Sequence, residues 1–188
     1  AGIIGVVALA LFALSVARDY EYGTIRNLFV AEPRRLIVYA GKLIGLWSLV
    51  ISAVLVAALV SAGLTTVFAS SQGIGTSAWE LGASLASVAQ LAGATLLYGV
   101  IGAAIAIATK SAAVAITAGV AYLLIVENLI GLAWDSASEW LPAGVLSAIA
   151  SGGTSTLSLA EATVLGVAYG VAALAVLVVV LMRRDVTD

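Results

Sequence analysis

Ala17 to Lys42 reads ARDYEYGTIRNLFVAEPRRLIVYAGK and is the longest break in a chain that is otherwise almost continuously apolar. It holds five of the eight Lys and Arg residues (Arg18, Arg26, Arg34, Arg35 and Lys42) and three of the ten acids (Asp19, Glu21 and Glu32). On its C-terminal side the apolar runs exceed the 18 or so residues that cross a hydrocarbon core. The chain is 63% hydrophobic and 10% charged, with a mean hydropathy of +1.18. Soluble domains carry roughly 25% charged residues. The class is an all-α, polytopic transmembrane bundle forming a single domain over residues 1–188, because the alternating ten-residue segments of a barrel do not occur.

Working outward from residues 17–42, five apolar segments can be marked: Ala1–Ala17, Leu43–Ala69, Leu81–Thr109, Ala112–Trp134 and Ala162–Met182. The second and third are longer than a core of about 30 Å requires, so they tilt or project. Lys and Arg set the orientation. With loop 17–42 on the cytoplasmic side, the turn at Lys110 and the tail from Arg183 fall there too, and these three segments hold all eight basic residues. The opposite segments, Ser70–Glu80 and Asp135–Glu161, hold none. Trp79, Trp134 and Trp140 fall at the expected outer boundary, where an aromatic belt belongs. Ala1 then lies outside, within an apolar run that has no initiator Met. The expectation is a shortened start, with one more span in the complete chain, making six.

The outer insertion 135–159 contains Leu141–Ala150, apolar but about half a span long, which suits a re-entrant or interfacial helix. Pro142 fits its first turn, and Ser151-Gly152-Gly153-Thr154-Ser155 breaks it. It can serve as a surface helix on the outer leaflet or as a lid over an exit path. Gly41-x-x-x-Gly45 and Gly166-x-x-x-Gly170 match the close-packing pattern of membrane helices.

Within loop 17–42, Tyr22, Ile25, Leu28 and Phe29 recur at three- and four-residue spacing, which predicts a short amphipathic helix. Gly23 allows a sharp turn before it, Thr24 can cap it, and Pro33 ends it. On physics alone such a helix suits the lipid headgroup layer, with Arg34 and Arg35 drawn to anionic lipid, as well as it suits a partner's surface.

Glu127 is the only acid well inside a span, beside Asn128 in the outer third of the fourth segment. A charged residue at the centre of a span costs about 2.5–3.5 kcal/mol on insertion scales, so such residues face a bundle interior or a cavity. Two roles are open to it: lining a translocation path with Asn128, or locking helix packing near the outer surface. Tyr98, Tyr122 and Tyr169 each bring a hydroxyl into a span that calls for a partner.

Much chemistry is excluded. The chain has no Cys and no His, which removes thiolate and imidazole catalysis and the usual soft metal sites. Asp135 and Glu139 are better read as a solvated acidic face than as a catalytic pair. Topology accounts for the basic residues, so nucleic-acid binding is not supported. Gly41-Lys42 is followed by Leu43 and lacks the upstream glycine of a phosphate-binding loop. The chain is therefore not expected to be an enzyme.

Three pieces of the central stretch, Asp19-Tyr20-Glu21-Tyr22-Gly23-Thr24-Ile25-Arg26, Glu32-Pro33-Arg34-Arg35 and Gly41-Lys42-Leu43, resemble the permease subunits of ABC exporters of the type-2 integral membrane family. Those permeases have E-x-G-T-[ILV]-R after a span, then P-x-R, then a Gly-Lys pair opening the next span. The layout that follows is also similar, down to an outer helical insertion before the last span. The resemblance implies that loop 17–42 carries a cytoplasmic coupling helix seated in a groove of a separate ATP-binding cassette subunit. Glu21, Gly23, Thr24 and Arg26 would lie at that contact, with Tyr22, Ile25, Leu28 and Phe29 around them. It further implies efflux across a plasma membrane, a second copy or similar permease completing the path, and ATP and Mg bound only by the partner. The competing classes are a carrier driven by an ion gradient, which calls for polar residues near the midplane and broken helices, and a non-transporting membrane scaffold.

Overall fold

The structure is a computed structural model that describes residues 2–24, 34–73 and 81–183. The described residues are helical, without strands, and five helices are long and apolar enough to cross a membrane. In chain order these and the shorter helices are α1 (Gly2–Glu21), α2 (Arg35–Ser71), α3 (Leu81–Thr109), α4 (Ala112–Ala121), α5 (Glu127–Ala133), α6 (Ala137–Trp140), α7 (Pro142–Ser151) and α8 (Leu159–Arg183). A π-helical turn, Tyr122–Val126, joins α4 to α5, so residues 112–133 form one interrupted rod.

Three helix ends differ from the sequence expectation. The expected loop 17–42 is largely helical at both ends, because α1 continues to Glu21 and α2 begins at Arg35. Charged residues at the ends of spans can reach the interface on long side chains without breaking the helix. The last span begins at Leu159 rather than Ala162. Ser158 and Glu161 form a reciprocal cap there: Glu161 accepts from the Ser158 amide at 3.0 Å and hydroxyl at 2.7 Å, which satisfies donors that a helix start leaves open.

The bundle is organised around α3, which packs against α1, α2, α4, α7 and α8. Hydrocarbon gives helices no reason to associate through apolarity alone, so small residues that let backbones approach decide the contacts. A Cβ placed on Gly102 would lie 2.3 Å from the Leu9 carbonyl oxygen, and one on Gly99 2.8 Å from the Phe12 ring. The α1–α3 crossing is therefore set by glycines that the sequence reading passed over. Of the two spaced glycine pairs, Gly166 and Gly170 do pack closely, against Ile149 and Leu97. Gly41 and Gly45 face open space.

Two buried clusters follow. One lies toward the central loop and includes Phe12, Val16, Tyr39, Leu43, Ile107 and Leu181. The other lies toward the outer insertion and includes Leu9, Tyr98, Leu123, Leu146, Ile149 and Ala162. α2, with 37 residues, extends about 55 Å at 1.5 Å per residue. Only its first part joins the core, through Tyr39, Leu43, Val50 and Val54. Beyond that its apolar residues, such as Leu59 and Phe68, are exposed. Several of its hydroxyls bond back along the helix, as Ser52 does to the Ser48 carbonyl and Thr65 to the Ser61 carbonyl, which satisfies those groups within the helix.

Candidate functional site

Two groups of polar side chains hold the bundle, one at each end. One group is built on the last turn of α1. Asp19 forms an ion pair with Lys42 on α2, and the Lys42 ammonium also donates to the Ser15 carbonyl. The two partners are 16% and 20% exposed, so this pair is shielded more than an ordinary surface bridge. Two residues on, Glu21 Oε1 accepts the Ala112 amide at 2.7 Å. Ala112 opens α4, and its N–H is one of those a helix start leaves without an internal partner. A carboxylate there also meets the positive end of the helix dipole. The α3–α4 turn is tight, with Lys110 at φ +57°. One turn of α1 thus fastens both α2 and α4.

From that turn the chain leaves through Tyr22 and Gly23. Gly23 sits at φ +67°, a conformation costly for residues with a Cβ, and its N–H donates to the Tyr20 carbonyl at 3.2 Å. The sharp turn expected at Gly23 is therefore present. The Thr24 hydroxyl reaches the Asp19 carbonyl at 3.5 Å. Tyr22 is 71% exposed. Of the expected contact residues, Glu21, Tyr22, Gly23 and Thr24 are together and exposed. Ile25, Arg26, Leu28 and Phe29 lie outside the described residues, as does Trp79.

The other group is centred on α7. Pro142 occupies its first position and Gly152, at φ +81°, ends it, so both sequence signals mark the observed boundaries. Glu127, 7% exposed, accepts the Ala143 amide with both carboxylate oxygens, at 2.9 and 3.1 Å. An acid in a span is thereby matched with the N-terminus of a short helix, which satisfies charge and amide together. Tyr98 on α3 reaches the Ala143 carbonyl at 3.5 Å, and Tyr169 on α8 donates to the Trp140 carbonyl. Tyr98 and Tyr169 therefore meet at the α6–α7 corner, and Tyr122 stands 38% exposed, in the π turn. Gln90 lies beside Gly152, a neighbour the sequence did not suggest.

Asn128 faces outward and donates to the Leu124 carbonyl, inside the π turn, at 2.7 Å. A cavity of about 380 Å³ opens beside these residues, lined by Leu123, Glu127, Asn128, Leu132, Leu141 and Gly144 among others. Glu127 and Asn128 do share a cavity wall, as a path would require. The Glu127 carboxylate is at the same time bonded to the first turn of α7. Among the described residues there is no group of acids that could hold a metal ion.

Comparison of the chain with protein-family models, with curated proteins and with solved structures finds no match. What the fold defines is a class: a helical protein with five helices long and apolar enough to be membrane spans.

Proposed function

We propose that this chain is the membrane-spanning permease subunit of an ATP-driven exporter of the ABC type. In this reading it forms the translocation path with a second copy or a similar permease in a plasma membrane. Loop 17–42, the Lys110 turn and the tail from Arg183 are cytoplasmic. A separate ATP-binding subunit carries ATP and Mg, and the chain itself hydrolyses nothing.

The observation that carries the reading is the inner anchor. The residues matching the exporter motif, Asp19 to Thr24 and Gly41-Lys42, are brought to one place by the Asp19–Lys42 pair, and Glu21 fastens that place to α4. A docking element transmits force only when its base is stiff, and here a push on the loop is delivered to α1, α2 and α4 at once. Residues 25–33 complete the coupling helix in this reading.

A gradient-driven carrier draws less support, because Glu127 is already bonded to Ala143 rather than free at the midplane. The test is reconstitution of the complete chain with its ATP-binding partner in sealed vesicles. ATP-dependent movement of an amphipathic dye, abolished by vanadate, supports the exporter reading. Movement driven by an imposed ion gradient without ATP overturns it.

A further inference from the structure

Glu21 and Glu127 sit at opposite ends of the same rod. Glu21, from α1, holds the first amide of α4. Glu127, the first residue of α5, holds an amide in the first turn of α7. About 23 Å of helix separates Ala112 from Glu127, at 1.5 Å per residue. Between them stands the π turn Tyr122–Val126. We infer that the fourth span links the inner loop to the outer helix α7, with this wide turn as its movable joint.

The two halves of the rod are held differently. α4 packs against α1 and α3, with Ala115 fully buried and Gly119 so close to Leu9 that a Cβ would meet it at 2.8 Å. It therefore moves with α1, whose last turn also fastens α2 through Lys42. The π turn itself is thinly packed: Leu123 is buried, whereas Tyr122, Leu124, Ile125 and Val126 are 38–58% exposed.

A π turn contains one residue more than an α turn. When that extra residue moves one position along a helix, the residue it passes turns by about 100° and shifts by about 1.5 Å. Glu127 is the next residue in line, so one such step toward the C-terminus swings its carboxylate off the Ala143 amide. α7 is then held by Tyr98, by its apolar face and by the Tyr169 bond to Trp140 just before it. The rod has two discrete arrangements, engaged and released, and a change at Glu21 biases them from the far side of the bundle. The link does not depend on which partner meets the loop, so it can fail while the exporter reading stands, and the reverse.

Residues 1–188 contain no cysteine, so a single reporter among them is clean. Leu141→Cys, on the wall of the cavity beside Glu127, is labelled with a membrane-impermeant maleimide in the complete chain in lipid nanodiscs. Loss of a charge-assisted bond in Glu127→Ala raises the labelling rate on the order of tenfold. Glu21→Ala, on the opposite side, raises it by about threefold or more, and Glu21→Gln, which keeps the acceptor, stays near the unmodified rate. Ala112→Pro removes the donor instead. Proline suits a first helical position, and Ser111 already has the extended backbone (φ −136°, ψ 126°) that a following proline requires. It should reproduce Glu21→Ala, and it decides the matter if that variant does not fold. The double change at Glu21 and Glu127 should label no faster than Glu127→Ala alone. An unchanged Leu141→Cys rate in Glu21→Ala and Ala112→Pro, beside a raised rate in Glu127→Ala, overturns the link. No change in Glu127→Ala overturns it as well.

Discussion

Replacing Glu127 by Ala is the most informative single change at the α7 end of the bundle. In the folded bundle its carboxylate, 7% exposed, takes the Ala143 amide at 2.9 Å. The insertion cost of an acid is largely common to the packed bundle and to separated helices still in the membrane, so most of it cancels. What remains is the bond. Hydrogen bonds to charged groups contribute about 1.5–3 kcal/mol, a carboxylate at a helix N-terminus about 0.3–1 kcal/mol, and polar contacts between membrane helices average only about 0.6 kcal/mol. Weighing these gives about 2 kcal/mol for Glu127→Ala. For a chain of this size that corresponds to a fall of about 4–8 °C in the melting temperature. Glu127→Gln keeps an acceptor and loses only the charge, so it should fall by roughly half as much. The assay is thermal unfolding in mild detergent, followed by circular dichroism and by retention of the monodisperse peak. A melting temperature for Glu127→Ala within about 1 °C of the unmodified chain refutes the reasoning, because the bond would then contribute nothing.

Other outcomes follow from the same geometry. Gly102→Ala drives a methyl group into the Leu9 backbone and should cost about 1–3 kcal/mol in the same melt, whereas Gly41→Ala, facing open space, should be neutral or stabilising by about 0.5–1 kcal/mol. A double-mutant cycle on Asp19→Ala and Lys42→Ala should return a coupling of about 1 kcal/mol, above the usual surface value because both partners are shielded. Tyr169→Phe removes one bond to the Trp140 carbonyl and should lower the melting temperature by about 2 °C.

The spans were legible because lipid admits few solutions: a run of apolar residues long enough to cross must become helix to satisfy its own backbone. α7 was legible for a local reason, Pro142 at its start and Gly152 at its end. What could not be read was contact across long sequence distance. The family resemblance put Glu21 at a partner contact, and its observed bond within the chain is to Ala112, 91 positions away. Glu127 had two open roles, and its bond to the Ala143 amide could not be read from the sequence. The π turn left no mark that periodicity could detect, since Tyr122–Val126 is apolar throughout. The early start of α2 had a missed sign in Pro33, which stands just before it. The Ser158–Glu161 cap was a local signal in plain view, and it starts the last span three residues ahead of the expected position.

The exporter reading stands or falls on one measurement. The complete chain is co-expressed with the ATP-binding chains of its own genomic neighbourhood, purified by its tag, and assayed for vanadate-sensitive ATP hydrolysis, beside Gly23→Leu. Gly23 holds φ +67°, and no atom of the described residues lies within 4 Å of an added Cβ, so leucine strains the turn and should leave expression intact. The prediction is a stable complex whose hydrolysis is lost or uncoupled in Gly23→Leu. Failure of any ATP-binding chain to co-purify, or a complex indifferent to Gly23→Leu, contradicts it.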